Sequence, residues 1–276
     1  MTRSAPKTAR LSDRRAATVA AVGTLDIDGA TIAYDVDGHG ERTIAFVHGW
    51  CSKAAHWDRQ VEHFAPTYRV VRWDRRGIGR SGAAAAAESP DRHAADLAVL
   101  LDHLGIDTVT VVGHAGGGPA TVAFAAQHPD RVTGMVLVDT RLYDPAAPGA
   151  AAFAASIRQS CTRLTDDAFF ARLYASFFGP RAPKDIVDDA VANALATDRG
   201  TAAAEMRHIL VDSMAMARQV RCPVLWVSAH PDDTVGVRDA FPDAMVGHVV
   251  GSGHFIGVEV PEQLNPMIEV LLARSA

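Results

Sequence analysis

A chain of 276 residues, 48% hydrophobic and 21% charged, can fill the core of one large α/β domain, which excludes a disordered or fibrous protein. Its formal net charge of −5 leaves no basic surplus for a polyanion, so nucleic acid is excluded as a partner class. The three cysteines Cys51, Cys161 and Cys222 are odd in number and far apart, with no metal-ligand spacing, and fit reduced thiols in a cytoplasmic protein.

The basic start "MTRSAPKTARLSDRRAATVAAVG" lacks the sustained apolar run of a secretory signal. Residues 1–22 are therefore expected to form a flexible arm, and no segment is long enough to span a membrane. "LDIDGATIAYDVDG" reads as two strands around Gly29, and "RTIAFVHGW" as a buried strand ending in a loop. "AAHWDRQVEHFA" is helical, "YRVVRWDRRGIGRSG" is a strand running into a glycine-rich loop, and "DRHAADLAVLLDHLG" has apolar residues at helical spacing and stops at Gly105. "DTVTVVG" is a strand, "PATVAFAAQHP" a helix and "RVTGMVLVD" a strand.

β-branched runs without alternation, separated by helices, predict a mostly parallel sheet with helices on both faces. Sites in such sheets lie beyond the carboxyl ends of the strands. Residues 141–218 break the rhythm: they are helical throughout apart from "GPRAP", and predict a helical cap inserted into the core. The predicted organisation is thus 1–22 arm, 23–140 first part of the core, 141–218 cap and 219–276 second part. That second part holds the strand in "CPVLWVSAHPDD", the strand and loop of "HVVGSGHF" and the helix "PEQLNPMIEVLLARS".

One stretch carries a chemical question. In "VTVVGHAGGGPATVAFAAQHP", residues 109–129, the pattern Gly-x-nucleophile-x-Gly is met by Gly113 and Gly117, yet its centre is Ala115, whose side chain has no lone pair and no acidic proton.

"HGW" at 48–50, "DRRGIGRSG" at 74–82, "GHAGGG" at 113–118, the strand end in "PVLWVSAHPDD" and "GSGHF" at 251–255 occur in an order and at intervals that resemble the α/β-hydrolase fold superfamily, from about residue 24 to 274. The resemblance implies a nucleophile, an acid and a histidine in that chain order, with no metal or organic cofactor. It puts Ala115 where serine usually stands and makes His254 the general base. The acid implied by counting from Pro223 is Asp232; Asp139, one strand earlier, and the neighbouring Asp233 remain alternatives. The oxyanion donors implied are the backbone N–H groups of Trp50 and Gly116. His48 is expected to be a structural loop histidine, His114 to point away from the pocket, and Asp74 and Arg75 to hold the glycine-rich loop. Trp50, Tyr143 and Phe178 are expected against the substrate, with other cap aromatics and methionines mostly forming the cap's own core.

The function so implied is hydrolysis of an ester or lactone of a small, largely apolar molecule through a Ser-His-Asp triad, with oligomeric state open between monomer and homodimer. Three explanations of Ala115 compete. The persistence of both glycines, His254 and Asp232 favours removal of a serine from an active enzyme. The others are a ligand-binding protein that never had a nucleophile, and a His-Asp dyad doing proton transfer as in lyases or cofactor-free oxygenases.

Overall fold

The computed structural model describes residues 19–82, 89–180, 182–230 and 236–275. Its centre is an eight-stranded sheet made of β1 (Val19–Ile27), β2 (Ala30–Asp37), β3 (Thr43–Val47), β4 (Arg69–Trp73), β5 (Val109–His114), β6 (Val132–Val138), β7 (Val224–Ser228) and β8 (Met245–His248). The order is β1-β2-β4-β3-β5-β6-β7-β8; β1, β2 and β4 pair antiparallel and every pair from β4 to β8 is parallel. β1 begins at Val19, inside the segment expected to be a flexible arm. Residues 1–18, the rest of that arm, lie outside the described residues.

The apolar runs do not alternate because both sheet faces are covered. Along β5, Val111 packs into one core cluster and its neighbour Val112 into the other. The first face is covered by α2 (Pro90–His103) and α3 (Gly118–Gln127), through residues such as Leu97, Leu101 and Phe124. The second is covered by α1 (Asp58–Phe64), α10 (Ile256–Glu259) and α11 (Pro261–Arg274). In α11 the buried Leu264, Ile268, Leu271 and Leu272 recur at helical spacing and face the sheet.

Between β6 and β7 run α4 (Ala150–Arg163), α5 (Asp167–Ala175), α6 (Lys184–Ala196), α7 (Arg199–Arg207) and α8 (Ser213–Ala217); α9 (Val237–Ala240) precedes β8. Parts of α4 to α7 form a third cluster around Phe170, Tyr174 and Met206, which also takes in Cys51 and Phe255 from the core loops. Among the described residues no helix is long and apolar enough to cross a membrane.

The strand order locates the site. From β3 the chain steps outward to β4, then returns to the other side of β3 to lay down β5. Loops leaving the carboxyl ends of β3 and β5 therefore diverge and leave a crevice, as open parallel sheets do where the order reverses.

Candidate active site

β5 ends at His114, and a single 3-10 turn, Ala115–Gly117, leads straight into α3. The turn is tight because α3 must pack back on the strand it leaves. A Cβ at Gly113 would lie 2.2 Å from the Thr121 hydroxyl oxygen, and one at Gly117 would lie 2.4 Å from the His48 carbonyl oxygen. The compression falls on Ala115, which has φ of 48°, in the left-handed region that a side chain makes costly. This is the strand-to-helix turn with positive φ that the spacing of Gly113 and Gly117 predicts.

β3 runs into the loop His48–Gly49–Trp50. His48 Nδ1 donates to the Gly49 carbonyl at 2.9 Å, and its Nε2 accepts from the Arg75 amide at 2.8 Å. Burial, then the Arg75 charge, lowers the imidazole to about 3, so this ring is a neutral brace. Asp74 accepts from the Ala54 amide at 2.6 Å and from Arg80 at 2.7 Å, tying the glycine-rich loop to the same corner. The Trp50 indole N–H donates to the Ala202 carbonyl of α7 at 2.7 Å, and its ring packs on Phe170 and Tyr174.

His254 sits in the loop after β8, held by its own amide on the Phe177 carbonyl at 2.7 Å. Its Nδ1 donates to Asp139 at 2.6 Å. Among the described residues the carboxylate on His254 is Asp139, the alternative one strand earlier; the expected acid Asp232 and its neighbour Asp233 lie outside the described residues. β6 and β7 end side by side at the same sheet edge, so either strand can deliver a carboxylate. Asp139 does so through a left-handed residue, φ 45°, immediately after β6. Its other oxygen accepts from the Ala229 amide at 2.9 Å. Burial pushes the Asp139 carboxyl up, but the hydrogen bond and charge of His254 and the Ala229 N–H outweigh it and hold the pKa below the ordinary value. His254 Nε2 makes no hydrogen bond among the described residues and is left facing the cavity.

His114 does not point away from the pocket as expected. Its ring lies against His254, 4.7 Å between centroids, and Nε2 donates to the His254 carbonyl at 2.8 Å. Burial, then the neighbouring His254, lowers it to about 3, so it supports the His254 loop as a neutral donor.

Ala115, Gly116, Trp50 and His254 open onto one cavity of about 320 Å³. Its walls are mainly Phe153, Ile157, Tyr174, Phe177, Met206 and Ile209, contributed by the chain between β6 and β7. Of the three residues expected to touch substrate, Trp50 lines the cavity and two do not. The Tyr143 side chain is turned inward, with its hydroxyl 3.4 Å from the Ala150 carbonyl. Phe178 stacks flat on Phe255 at 4.3 Å. Phe153, Ile157, Ile209 and Arg141 were not foreseen, because helical spacing marks an apolar face without saying which cavity it borders. Arg141 is the exposed member of the lining and lies over the Phe153 ring at 4.4 Å.

Strand order, elbow and a histidine loop after the last strand define an α/β-hydrolase. The chain belongs to the alpha/beta hydrolase fold family, whose sequence model matches residues 42–261. It is similar to a non-heme haloperoxidase of Rhodococcus erythropolis, 40% identical over 113 residues, which are 40% of this chain and 41% of that relative, so the match spans about two fifths of the relative's length. Among solved structures it resembles a bromoperoxidase from Bacillus anthracis, with a TM-score of 0.82, 20% identity and coverage of 92% of this chain and 100% of that one. It also resembles the enol-lactonase from Burkholderia xenovorans LB400, with a TM-score of 0.79, 20% identity and coverage of 91% and 100%.

Proposed function

We propose that the site is built for hydrolysis of an ester or lactone of a small, largely apolar molecule, and that a serine at position 115 completes it. The observation that carries this reading is Ala115 itself, a residue with a Cβ held at φ 48° where that backbone serves to display a side chain. Around it stand His254, braced by Asp139, and the amides of Gly116 and Trp50. The similarity of fold to an enol-lactonase supports carbonyl chemistry in such a cavity.

In this mechanism His254 Nε2 takes the proton of the serine hydroxyl as it attacks the carbonyl carbon. Asp139 holds the imidazole in the tautomer with the proton on Nδ1 and stabilises the imidazolium. The two amides receive the oxyanion. The alcohol leaves with the proton from His254, and the same base then activates the water that releases the acid. With Ala115 in place, the first step has no nucleophile. Loss of a triad nucleophile costs roughly 10⁶-fold in kcat, on the order of 8 kcal/mol, so the chain as written binds such a molecule and leaves it intact.

The test is Ala115→Ser assayed on a panel of small esters, lactones and thioesters, with a serine-directed phosphonate as label. Turnover together with labelling confined to position 115 is expected. A serine variant neither active nor labelled across the panel would sink the proposal and leave ligand binding as the better reading. Turnover by the chain as written, or exchange of substrate protons for deuterium, would favour proton transfer by the His254–Asp139 pair.

A further inference from the structure

At the junction between α2, the loop after β4 and α7 lies a buried cluster that the mechanism above does not use. Glu205, on α7, is 2% exposed and Arg75 is not exposed at all. Arg75 Nη1 meets Glu205 Oε2 at 2.5 Å, and His93 Nε2 meets Oε1 at 2.5 Å, with His208 Nδ1 3.6 Å from the same oxygen. Burial opposes the charge on Glu205, but Arg75 and His93 hold its pKa well below the usual carboxylate range, so it is an anion.

The other two bonds of the Arg75 guanidinium point toward the site. Nε donates to the His48 carbonyl at 3.0 Å and Nη2 to the Gly49 carbonyl at 3.0 Å. The Gly49 carbonyl and the Trp50 N–H belong to one planar trans peptide and must point in opposite directions. Three donors fix that carbonyl: Arg75 (the one that carries charge), His48 Nδ1, and the Ser52 N–H at 3.3 Å. They therefore fix the direction of the Trp50 N–H, which donates to no group among the described residues. A carbonyl that accepts several hydrogen bonds, one of them from a guanidinium, also polarises its own amide and makes the N–H a stronger donor.

We propose that Glu205 and Arg75 are positioning residues for the oxyanion site: Glu205, from the helical insertion, locks the Arg75 guanidinium, and Arg75 aims the Trp50 amide by gripping the Gly49 carbonyl of the same peptide. The proposal rests on the hydrolase reading for its catalytic consequence, but not for the geometry it asserts.

The experiment has two arms. In the chain as written, the ¹⁵N and ¹H resonances of the Trp50 amide are compared between Glu205 and Glu205→Gln. The proposal expects the Trp50 amide to move while amides of α11, far from the cluster, stay in place. In the Ala115→Ser background, Glu205→Gln is expected to lower kcat about tenfold to hundredfold, less than outright loss of an oxyanion donor, with KM within about twofold. Glu205→Asp, which keeps the charge, should recover part of that loss. An unmoved Trp50 resonance overturns the proposal, and the first arm decides this even if Ala115→Ser proves inactive and the hydrolase reading falls. A rise in KM with kcat intact would show a purely structural ion pair. Activity abolished by a chelator and restored by zinc would also overturn it, assigning His93, Glu205 and His208 to a metal instead.

Discussion

The two parts of the molecule that meet at the cavity are built by different rules. The core contributes Ala115, Asp139, His254 and the 48–50 loop, and there the backbone decides: Ala115 and Asp139 both sit at positive φ, and neighbouring glycines have no room for a Cβ. The helical stretch between β6 and β7 contributes Phe153, Ile157, Tyr174 and Met206, and there ordinary helices present apolar side chains. A position set by backbone geometry tolerates one residue or very few. A position set by packing tolerates any side chain of similar volume. The proposed mechanism thus draws its chemistry from the inflexible part and its selectivity from the adaptable one.

The strongest challenge to that contrast is at the acid. In the Ala115→Ser background, Asp139→Asn should lower kcat about 10⁴-fold, because an amide at that position holds the imidazole in the wrong tautomer. Asp232→Asn should change it far less. Initial rates on an ester turned over by the parent decide it, and the reverse ranking would assign the acid to the other strand end.

Next in size is the elbow against the wall. Gly117→Ala would drive a methyl to 2.4 Å from the His48 carbonyl oxygen, a backbone atom that cannot swing aside. A loss of about 3 kcal/mol is expected in denaturant melts. Phe153→Leu, at a half-buried wall position, should cost under about 1.5 kcal/mol while shifting KM among acyl groups of different bulk. Equal losses at the two positions would erase the distinction between the two regions.

The smallest effect per step comes from pH. His48 and His114 are held neutral in the folded protein with pKa values of about 3, against an unfolded value near 6.5. Below that unfolded value the unfolded chain binds protons the folded one refuses, so stability falls as pH drops from about 6.5 toward 3. The slope is up to about 1.4 kcal/mol per pH unit for each ring. Thermal melts between pH 7 and 5 should show the decline, and His48→Gln should reduce its slope. Melting temperatures flat over that range would mean that neither imidazole is kept neutral.

The same division explains what could be read in the amino-acid sequence. Gly113 and Gly117 announced the elbow because a strained turn leaves few residue choices, and the unalternating β-branched runs announced a sheet covered on both faces. Asp139 was harder to assign. A carboxylate after β6 and another after β7 both follow apolar strands in the same way, and only the left-handed turn at residue 139 brings the first to His254. Tyr143 and Phe178 were misplaced for a simpler reason. Their spacing shows that they are apolar and helix-adjacent, while their direction is set by packing: Tyr143 by the nearby start of α4 at Ala150, and Phe178 by Phe255, far away in the chain. The Glu205–Arg75 contact joins residues 130 positions apart and leaves no local trace.

The seams between the two regions also govern movement. The Tyr174 hydroxyl lies between the carbonyls of Trp50 and Cys51 at 3.2 and 3.0 Å, Asn193 donates to the Cys51 carbonyl at 2.9 Å, and the Trp50 indole is tied to α7. Helices α5, α6 and α7 are thereby stitched to the loop that follows β3, and they could not lift as a lid without pulling that loop with them. On the side of Arg141, the exposed member of the lining, the cavity shares Asp139, Arg141 and His254 with a wider depression. Arg141, laid over Phe153, is a surface side chain that can rotate in picoseconds to nanoseconds, so the rim on that side is free to rearrange far faster than helices tied to the β3 loop.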